Sequence, residues 1–192
     1  MVVLGIDPGT RRCGYGIVSR SGGRLARVDS GVLAPGDLPM AQRLARILEG
    51  IRAILGEGGI DAVAIETAYC GVSPRSALAL GQARGIALAA AAAAGLPILE
   101  LAPAEVKRAF TGNGRAGKAQ MVRTARALFG VEPRLADEAD ALAIAVCCLA
   151  RGTTASAFRV SAGRASSATS DRSATLDARR RLRPAVRRYG GI

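Results

Sequence analysis

The sequence contains no histidine and no tryptophan, and it has only three phenylalanines and three tyrosines among its 192 residues. Without histidine, catalytic triads of the Ser-His-Asp type and Cys-His nucleophiles are excluded. Zinc sites that use histidine are excluded for the same reason. Any metal ion would therefore be bound by carboxylates or thiolates.

The four cysteines are scattered through the chain, and none belongs to a Cys-x-x-Cys pair: Cys13, Cys70, Cys147 and Cys148. A disulfide framework or a thiolate zinc site would require cysteines at regular spacings. We therefore expect reduced thiols, which are typical of a cytoplasmic protein.

No targeting or membrane segment is expected. The first apolar run is interrupted by Asp7 and has no basic segment before it, so it does not resemble a signal peptide. The most apolar stretch, residues 85–96, is shorter than the roughly 20 residues that a spanning helix needs. We expect a cytoplasmic protein without a membrane partner.

The positive charge is concentrated at the carboxyl end of the chain. The net charge is +12; residues 1–150 hold 17 basic and 13 acidic side chains, whereas residues 151–192 hold ten arginines and two aspartates. We expect one domain over residues 1–151 and a disordered, low-complexity basic tail over 152–192. Nucleic acid is the leading partner for such a charge. A solvated tail that binds nothing in particular is the alternative.

Hydrophobic spacing predicts three strands first, and then alternating helices and strands. Strands are expected at 2–6, 13–19, 24–33, 62–65 and 97–101, and helices at 38–55, 73–95, 104–110, 119–129 and 137–151. The first hairpin favours antiparallel pairing, and the later strand–helix–strand units favour parallel pairing. We therefore expect an α/β fold with a mixed five-stranded sheet flanked by helices.

Four acidic residues occupy positions from which they could form one site. Asp7 ends the first predicted strand and Glu66 ends the fourth, while Asp137 and Asp140 lie three residues apart at the start of the last helix. If the first and fourth strands are neighbours, Asp7 and Glu66 lie side by side. The last helix then needs only to pack across that edge of the sheet.

Clustered carboxylates repel one another, and hard divalent cations relieve that repulsion. Mg²⁺ prefers oxygen ligands, and two such ions can activate water and stabilise the leaving oxygen of a phosphodiester. The alternative is structural, because Asp7 suits a turn and acids at a helix start complement its dipole. Glu66 is the most informative of the four, since a glutamate after a buried strand needs a partner.

Five separated motifs, in order, resemble those of the RuvC family of Holliday-junction resolvases. They cover about residues 1–150 and read GIDPGT with GYG (5–10, 14–16), AIE (64–66), LGQARG (80–85), GNG followed by Lys118 and Gln120 (112–120), and DEADALA (137–143).

This resemblance implies an RNase H-like fold, a homodimer, and cytoplasmic action in homologous recombination and DNA repair. It implies paired symmetric cleavage of a four-way DNA junction with two Mg²⁺ ions per site, Mn²⁺ being a substitute, and a RuvA–RuvB branch-migration partner. By position, Asp7, Glu66, Asp137 and Asp140 carry over as catalytic metal ligands.

Three further residues carry over from the resemblance as DNA-binding residues. Lys107 and Lys118 correspond to basic residues near the scissile phosphates, and they are the only lysines among 27 basic residues. Tyr69 stands where the family typically has phenylalanine, and its ring could stack on an unpaired base. The structural alternatives are solvated lysines and a half-buried loop aromatic.

Other functions remain open from the residues alone. One is an RNase H-like nuclease that acts on RNA or on another DNA structure. A second is a basic junction-binding module without catalysis. A third, a sugar-kinase-like or actin-like ATPase, ranks last because the chain lacks the length for the second domain of that fold.

Overall fold

The computed structural model of the chain describes residues 1–67, 73–130, 133 and 135–151. The predicted tail at 152–192 lies outside these residues. The described residues form ten elements: β1 (Val2–Asp7), β2 (Cys13–Ser21), β3 (Arg24–Leu33), α1 (Met40–Gly56), β4 (Ala62–Glu66), α2 (Pro74–Ala93), β5 (Ile98–Leu101), α3 (Pro103–Thr111), α4 (Lys118–Phe129) and α5 (Ala136–Arg151).

The five strands form one sheet in the order β3-β2-β1-β4-β5. β1 pairs antiparallel with β2, and β2 pairs antiparallel with β3. β1 pairs parallel with β4, and β4 pairs parallel with β5. The predicted mixed five-stranded sheet is confirmed, and the central position of β1 makes it the neighbour of β4.

The β2–β3 hairpin turns at Gly22 and Gly23, whose φ angles are +55° and +80°. Positive φ at both central residues matches the two-residue turn whose twist suits antiparallel strands. Glycine adopts this conformation without the steric cost of a Cβ atom.

Helices cover both faces of the sheet, as the alternation of side chains along β1 requires. Val3 faces the core that contains α3, α4 and α5. Leu4 and Ile6 face the other core, which contains α1 and α2. The sheet therefore separates two hydrophobic layers, each closed by helices.

Helix α5 lies directly against the first two strands because glycines there leave room for its backbone. A Cβ atom added at Gly14 would overlap the carbonyl of Asp137, and one added at Gly16 would lie 2.7 Å from the Leu142 nitrogen. Gly5 likewise faces the carbonyl of Ala141. This close approach fixes the position of the helix that carries Asp137 and Asp140.

Helix α2 begins as predicted, with Ser73 as its cap and Pro74 in its first turn; the Ser73 hydroxyl accepts a 3.3 Å hydrogen bond from the Ser76 nitrogen. Its apolar length, however, exceeds the stretch of 85–96 considered from sequence. All 20 residues form one helix. Its most apolar window of 18 residues has a mean hydropathy of 1.2, and 22% of that window is buried. Among the described residues it is the one helix whose length and composition would allow it to cross a membrane, and the core helix of a soluble protein passes the same test.

Candidate active site

Asp7 and Glu66 terminate the two central parallel strands. Ile6 and Ile65 are register partners, and the two acids are the next residues along β1 and β4. Because carboxyl ends of parallel strands meet at one edge of a sheet, the predicted proximity of Asp7 and Glu66 is explained by this register.

Helix α5 brings the other two acids to the same edge. Asp137 is the second residue of α5, and its backbone carbonyl lies against Gly14, the register partner of Asp7. Asp140 follows three residues later, which places it on the same side of the helix.

The electrostatics of the four acids indicate that they share one site. Burial, followed by the charges of Asp140, Glu66 and Asp137, raises the pKa of Asp7 to about 8. Burial and then the charge of Asp140 raise the pKa of Glu66 to about 7. Burial and the charge of Asp137 also raise the pKa of Asp140.

The two predicted lysines act on the same carboxylates in the opposite direction. The charge of Lys118 lowers the pKa of Asp7, that of Lys107 lowers the pKa of Glu66, and both lower the pKa of Asp140. Lys107 lies within α3, and Lys118 is the first residue of α4 after its cap at Gly117. Two helices thus place positive charge beside the edge of the sheet where the four acids lie, which we call the acidic edge.

The chemistry of this donor set fits a hard divalent cation. The four candidate ligands are carboxylates, and burial together with the charges of neighbouring acids disfavours the ionised forms of Asp7 and Glu66 when no cation neutralises them. In the part of the chain that the structure describes, no three acidic, cysteine or histidine side chains already converge on one ion-sized position. The acids therefore interact electrostatically, and their side chains would have to move closer together to coordinate one ion.

Two arginines contact this acidic edge in ways that the sequence did not indicate. Arg12 Nη1 lies 3.9 Å from Asp137 Oδ2. Arg84 on α2 donates a 3.3 Å hydrogen bond to the backbone carbonyl of Glu66 and forms an ion pair with Glu100 on β5. Arg84 thus ties α2 to the end of the strand that carries Glu66.

A second polar contact anchors the acidic end of α5. Glu138 is only 6% exposed, and its Oε1 accepts a 2.5 Å hydrogen bond from the Ser30 hydroxyl. That hydroxyl accepts a 2.9 Å hydrogen bond from Arg27 Nε. The sequence gives no local signal for this burial, because Glu138 follows Asp137 directly.

Two predicted features have different outcomes. Tyr69 lies outside the described residues, so its proposed stacking role stays a prediction. Cys13, Cys147 and Cys148 are free and buried. Burial raises the pKa of the Cys13 thiol to about 12 and that of Cys147 to about 11, so both thiols stay protonated near neutral pH.

A family model described as "Crossover junction endodeoxyribonuclease RuvC" matches residues 3–148. The chain belongs to the RuvC family. A RuvC of Anaeromyxobacter sp. (strain K) is 69% identical over 151 residues, which are 79% of this chain and 82% of that relative. A RuvC of Trichlorobacter lovleyi is 47% identical over 77% of this chain and 84% of its own length.

The solved structures agree with the RuvC assignment. The structure of T. thermophilus RuvC in complex with a Holliday junction substrate has a TM-score of 0.70 and 34% identity, and the match covers 77% of this chain and 92% of that one. The yeast mitochondrial Holliday junction resolvase Ydc2 has a TM-score of 0.58 at 17% identity, which supports the fold alone. The expected RNase H-like RuvC fold is confirmed.

Proposed function

We propose that this chain is a crossover junction endodeoxyribonuclease that resolves four-way DNA junctions by paired, symmetric hydrolysis of two strands. The observation that carries this proposal is the joining of Asp7, Glu66, Asp137 and Asp140 at one edge of the sheet in a chain of the RuvC family. The reaction serves homologous recombination and DNA repair in the cytoplasm.

The proposed cofactor is Mg²⁺, with two ions per active site and Mn²⁺ as a substitute. Asp7, Glu66, Asp137 and Asp140 would hold it, since all four offer the oxygen ligands that Mg²⁺ prefers. When bound, a pair of such ions stabilises the attacking and leaving oxygens of a phosphodiester. Cation binding would also offset the acidic charges that, after burial, raise the pKa of Asp7.

The two lysines are proposed to hold the DNA backbone at the cleavage site. Lys107 and Lys118 lie close enough to the acids to lower their pKa values, so a phosphate held by the lysines is also near the carboxylates. A fixed positive charge counters the negative charge that develops on a phosphate under attack. Phosphate contacts of this kind orient DNA without reading its sequence.

A homodimer is the proposed assembly, with α2 as the contact surface. Leu78 on this helix is 66% exposed, and Cβ atoms added at Gly81 or Gly85 would meet nothing within 4 Å. Exposed apolar and small side chains on one helix allow a second copy to approach closely. Two-fold symmetry would then pair identical sites, and the RuvA–RuvB complex is the proposed further partner.

The oligomeric state can be measured by sedimentation velocity. We expect a dimer for the wild-type chain and a monomer for Leu78→Glu, because the new charge would be buried at the contact. A monomeric wild type over the micromolar range, or an unchanged dimer in the variant, would reject α2 as the interface.

The activity is tested by substrate competition. A labelled four-way junction is offered with a linear duplex of matched sequence and an RNA–DNA hybrid, in Mg²⁺ or EDTA. We expect cleavage of the junction alone, only in Mg²⁺, and none by Asp7→Asn although that variant still binds. Preferred cutting of the hybrid would support the RNA nuclease, and binding without cutting would support the non-catalytic module.

A further inference from the structure

A basic cavity opens beside the β1–β2 loop that follows Asp7, and it shares Leu78 with the proposed dimer contact on α2. It has a volume of about 480 Å³. Its polar lining comes from the β1–β2 loop and the starts of α1 and α2: Thr10, Arg11, Arg43, Arg75, Ser76 and Gln82. We refer to it as the arginine cavity. None of the described residues that line it is acidic, so its charge suits an anion.

The arginines of the cavity have hydrogen-bonding capacity that the described residues leave unused. The Nε of Arg43 is buried and has no hydrogen-bond partner in the described structure, while its Nη2 contacts only the Met40 sulfur at 3.6 Å. A buried guanidinium N–H without an acceptor is costly. Because an oxygen atom in the cavity cannot reach this buried Nε, a phosphate would be held by the terminal Nη donors, which arginine presents to phosphate in pairs.

Arg11 is paired in a way that a phosphate could replace. Its Nη1 lies 3.1 Å from Asp37 Oδ1, and both side chains are largely exposed. Exposed ion pairs are weak and are screened by salt. A phosphate could therefore replace Asp37 as the partner of Arg11 at little cost in free energy.

The cavity lies close to Asp7 along the chain. Thr10 follows Asp7 by three residues, so their Cα atoms lie at most about 11 Å apart. One strand of duplex DNA carries a phosphate about every 3.4 Å along the helix axis. A DNA strand that runs from Asp7 towards the cavity would place another of its phosphates there within about three nucleotides.

We infer that the arginine cavity binds a backbone phosphate of the cleaved strand, within about three nucleotides of the scissile bond. This inference rests on the proposed function, since it assumes that a DNA strand lies across Asp7. The cavity would fix the register of the strand over the carboxylates, and the lysines would act at the scissile phosphate itself.

The first test is the salt dependence of junction binding, measured in EDTA so that no cleavage occurs. Each lost phosphate contact should make the slope of log K against log salt shallower by about 0.9. Because the cavity would hold one phosphate, we expect a decrease of up to that size for Arg43→Gln and no more than that for Arg43→Gln combined with Arg75→Gln. Arg52→Gln is the matched control, because Arg52 is exposed on the same helix and does not line the cavity.

The variant that combines Arg43→Lys with Arg75→Lys keeps both positive charges, so we expect it to retain the wild-type slope. That result would show that the slopes of the glutamine variants change because charge is lost and not because the protein misfolds. Slopes for the glutamine variants equal to that of Arg52→Gln would overturn the inference. Failure of the wild type to cleave in Mg²⁺ would instead reject the proposed function, and the binding slopes would still report on the cavity.

The second test locates the phosphate. Single neutral methylphosphonates are placed at each position up to three nucleotides on either side of the scissile bond. We expect one position to weaken binding of the wild type severalfold and to have no further effect on the double glutamine variant. Equal weakening of both proteins at every position would contradict the inference.

Discussion

The Ser30 hydroxyl on edge strand β3 donates a 2.5 Å hydrogen bond to Glu138 on α5, between the two acids that this helix contributes to the site. The contact crosses the outer edge of the sheet and fixes the rotation of the helix. The glycines of β1 and β2 fix its distance from the sheet. Together they determine where Asp137 and Asp140 lie.

Removal of the Ser30 hydroxyl tests this anchoring role. Ser30→Ala deprives the buried Glu138 of a hydrogen-bond donor, so we expect the free energy of unfolding to fall by about 1–3 kcal/mol. The Mg²⁺ concentration for half-maximal cleavage should rise, because Asp137 and Asp140 are less well positioned. Ser21→Ala, at the exposed end of β2, is the control and should change neither quantity. An unchanged Mg²⁺ requirement in a destabilised Ser30→Ala would limit the contact to stability.

The raised pKa of Asp7 predicts a pH-dependent stability. The folded chain holds this proton up to about pH 8, whereas the unfolded chain releases it near 3.8. The native state thus binds more protons between these values, and metal-free stability should fall as pH rises from about 4 to 8.

Asp7→Asn removes this effect. In EDTA at pH 8.5 we expect the variant to exceed the wild type in stability by at least about 1.4 kcal/mol, the equivalent of one pKa unit. The difference in free energy of unfolding between the two proteins should be smaller at pH 5. Urea denaturation at both pH values measures it. Mg²⁺ should stabilise the wild type at pH 8.5 more than the variant. Equal stability of the two proteins at both pH values would refute the raised pKa of Asp7 that burial and the neighbouring acids are expected to cause.

The close approach of α5 to β2 predicts the effect of added methyl groups. In Gly14→Ala the new Cβ would overlap the Asp137 carbonyl, so the helix must move and the acids move with it. We expect a loss of about 1–3 kcal/mol in stability and a large loss of cleavage. Junction binding measured in EDTA should persist. Gly56→Ala is the control, since its Cβ would meet nothing within 4 Å. Full activity in Gly14→Ala would contradict the close packing.

The positive charge of Lys118 beside the acids predicts a role for this residue in cleavage. Lys118→Ala removes a positive charge that lowers the pKa of both Asp7 and Asp140. We expect the single-turnover cleavage rate to fall about 10²-fold or more, as for the loss of one group that stabilises transition-state charge. Lys118→Arg should restore most of the rate. A rate for Lys118→Ala within twofold of the wild type would remove this residue from the active site.

The sequence predicted the local parts of this fold well. The hairpin at Gly22 and Gly23 and the capped start of α2 at Ser73 each depend on a few adjacent residues, so they could be identified without a structure. Helix α1 begins at Met40 and not at residue 38, because Pro39 adopts an extended conformation and serves as the cap.

The contacts that support the acids could not be predicted from the sequence. Ser30 and Glu138 are separated by 108 residues, and the hydrogen bond from Arg84 goes to the backbone of Glu66, which carries no sequence signal. The arginine cavity combines residues from three separate segments. Such features depend on packing between elements, which hydrophobic spacing and capping rules do not specify.

The most direct measurement is the mapping of nicks on a synthetic four-way junction whose strands are each end-labelled. We predict paired nicks at symmetric positions on two opposing strands in Mg²⁺. They should be absent in EDTA and in Asp7→Asn, although that variant still binds the junction. Wild-type protein that is folded and bound but leaves every strand intact in Mg²⁺ would contradict the central claim, as would nicks that persist in Asp7→Asn.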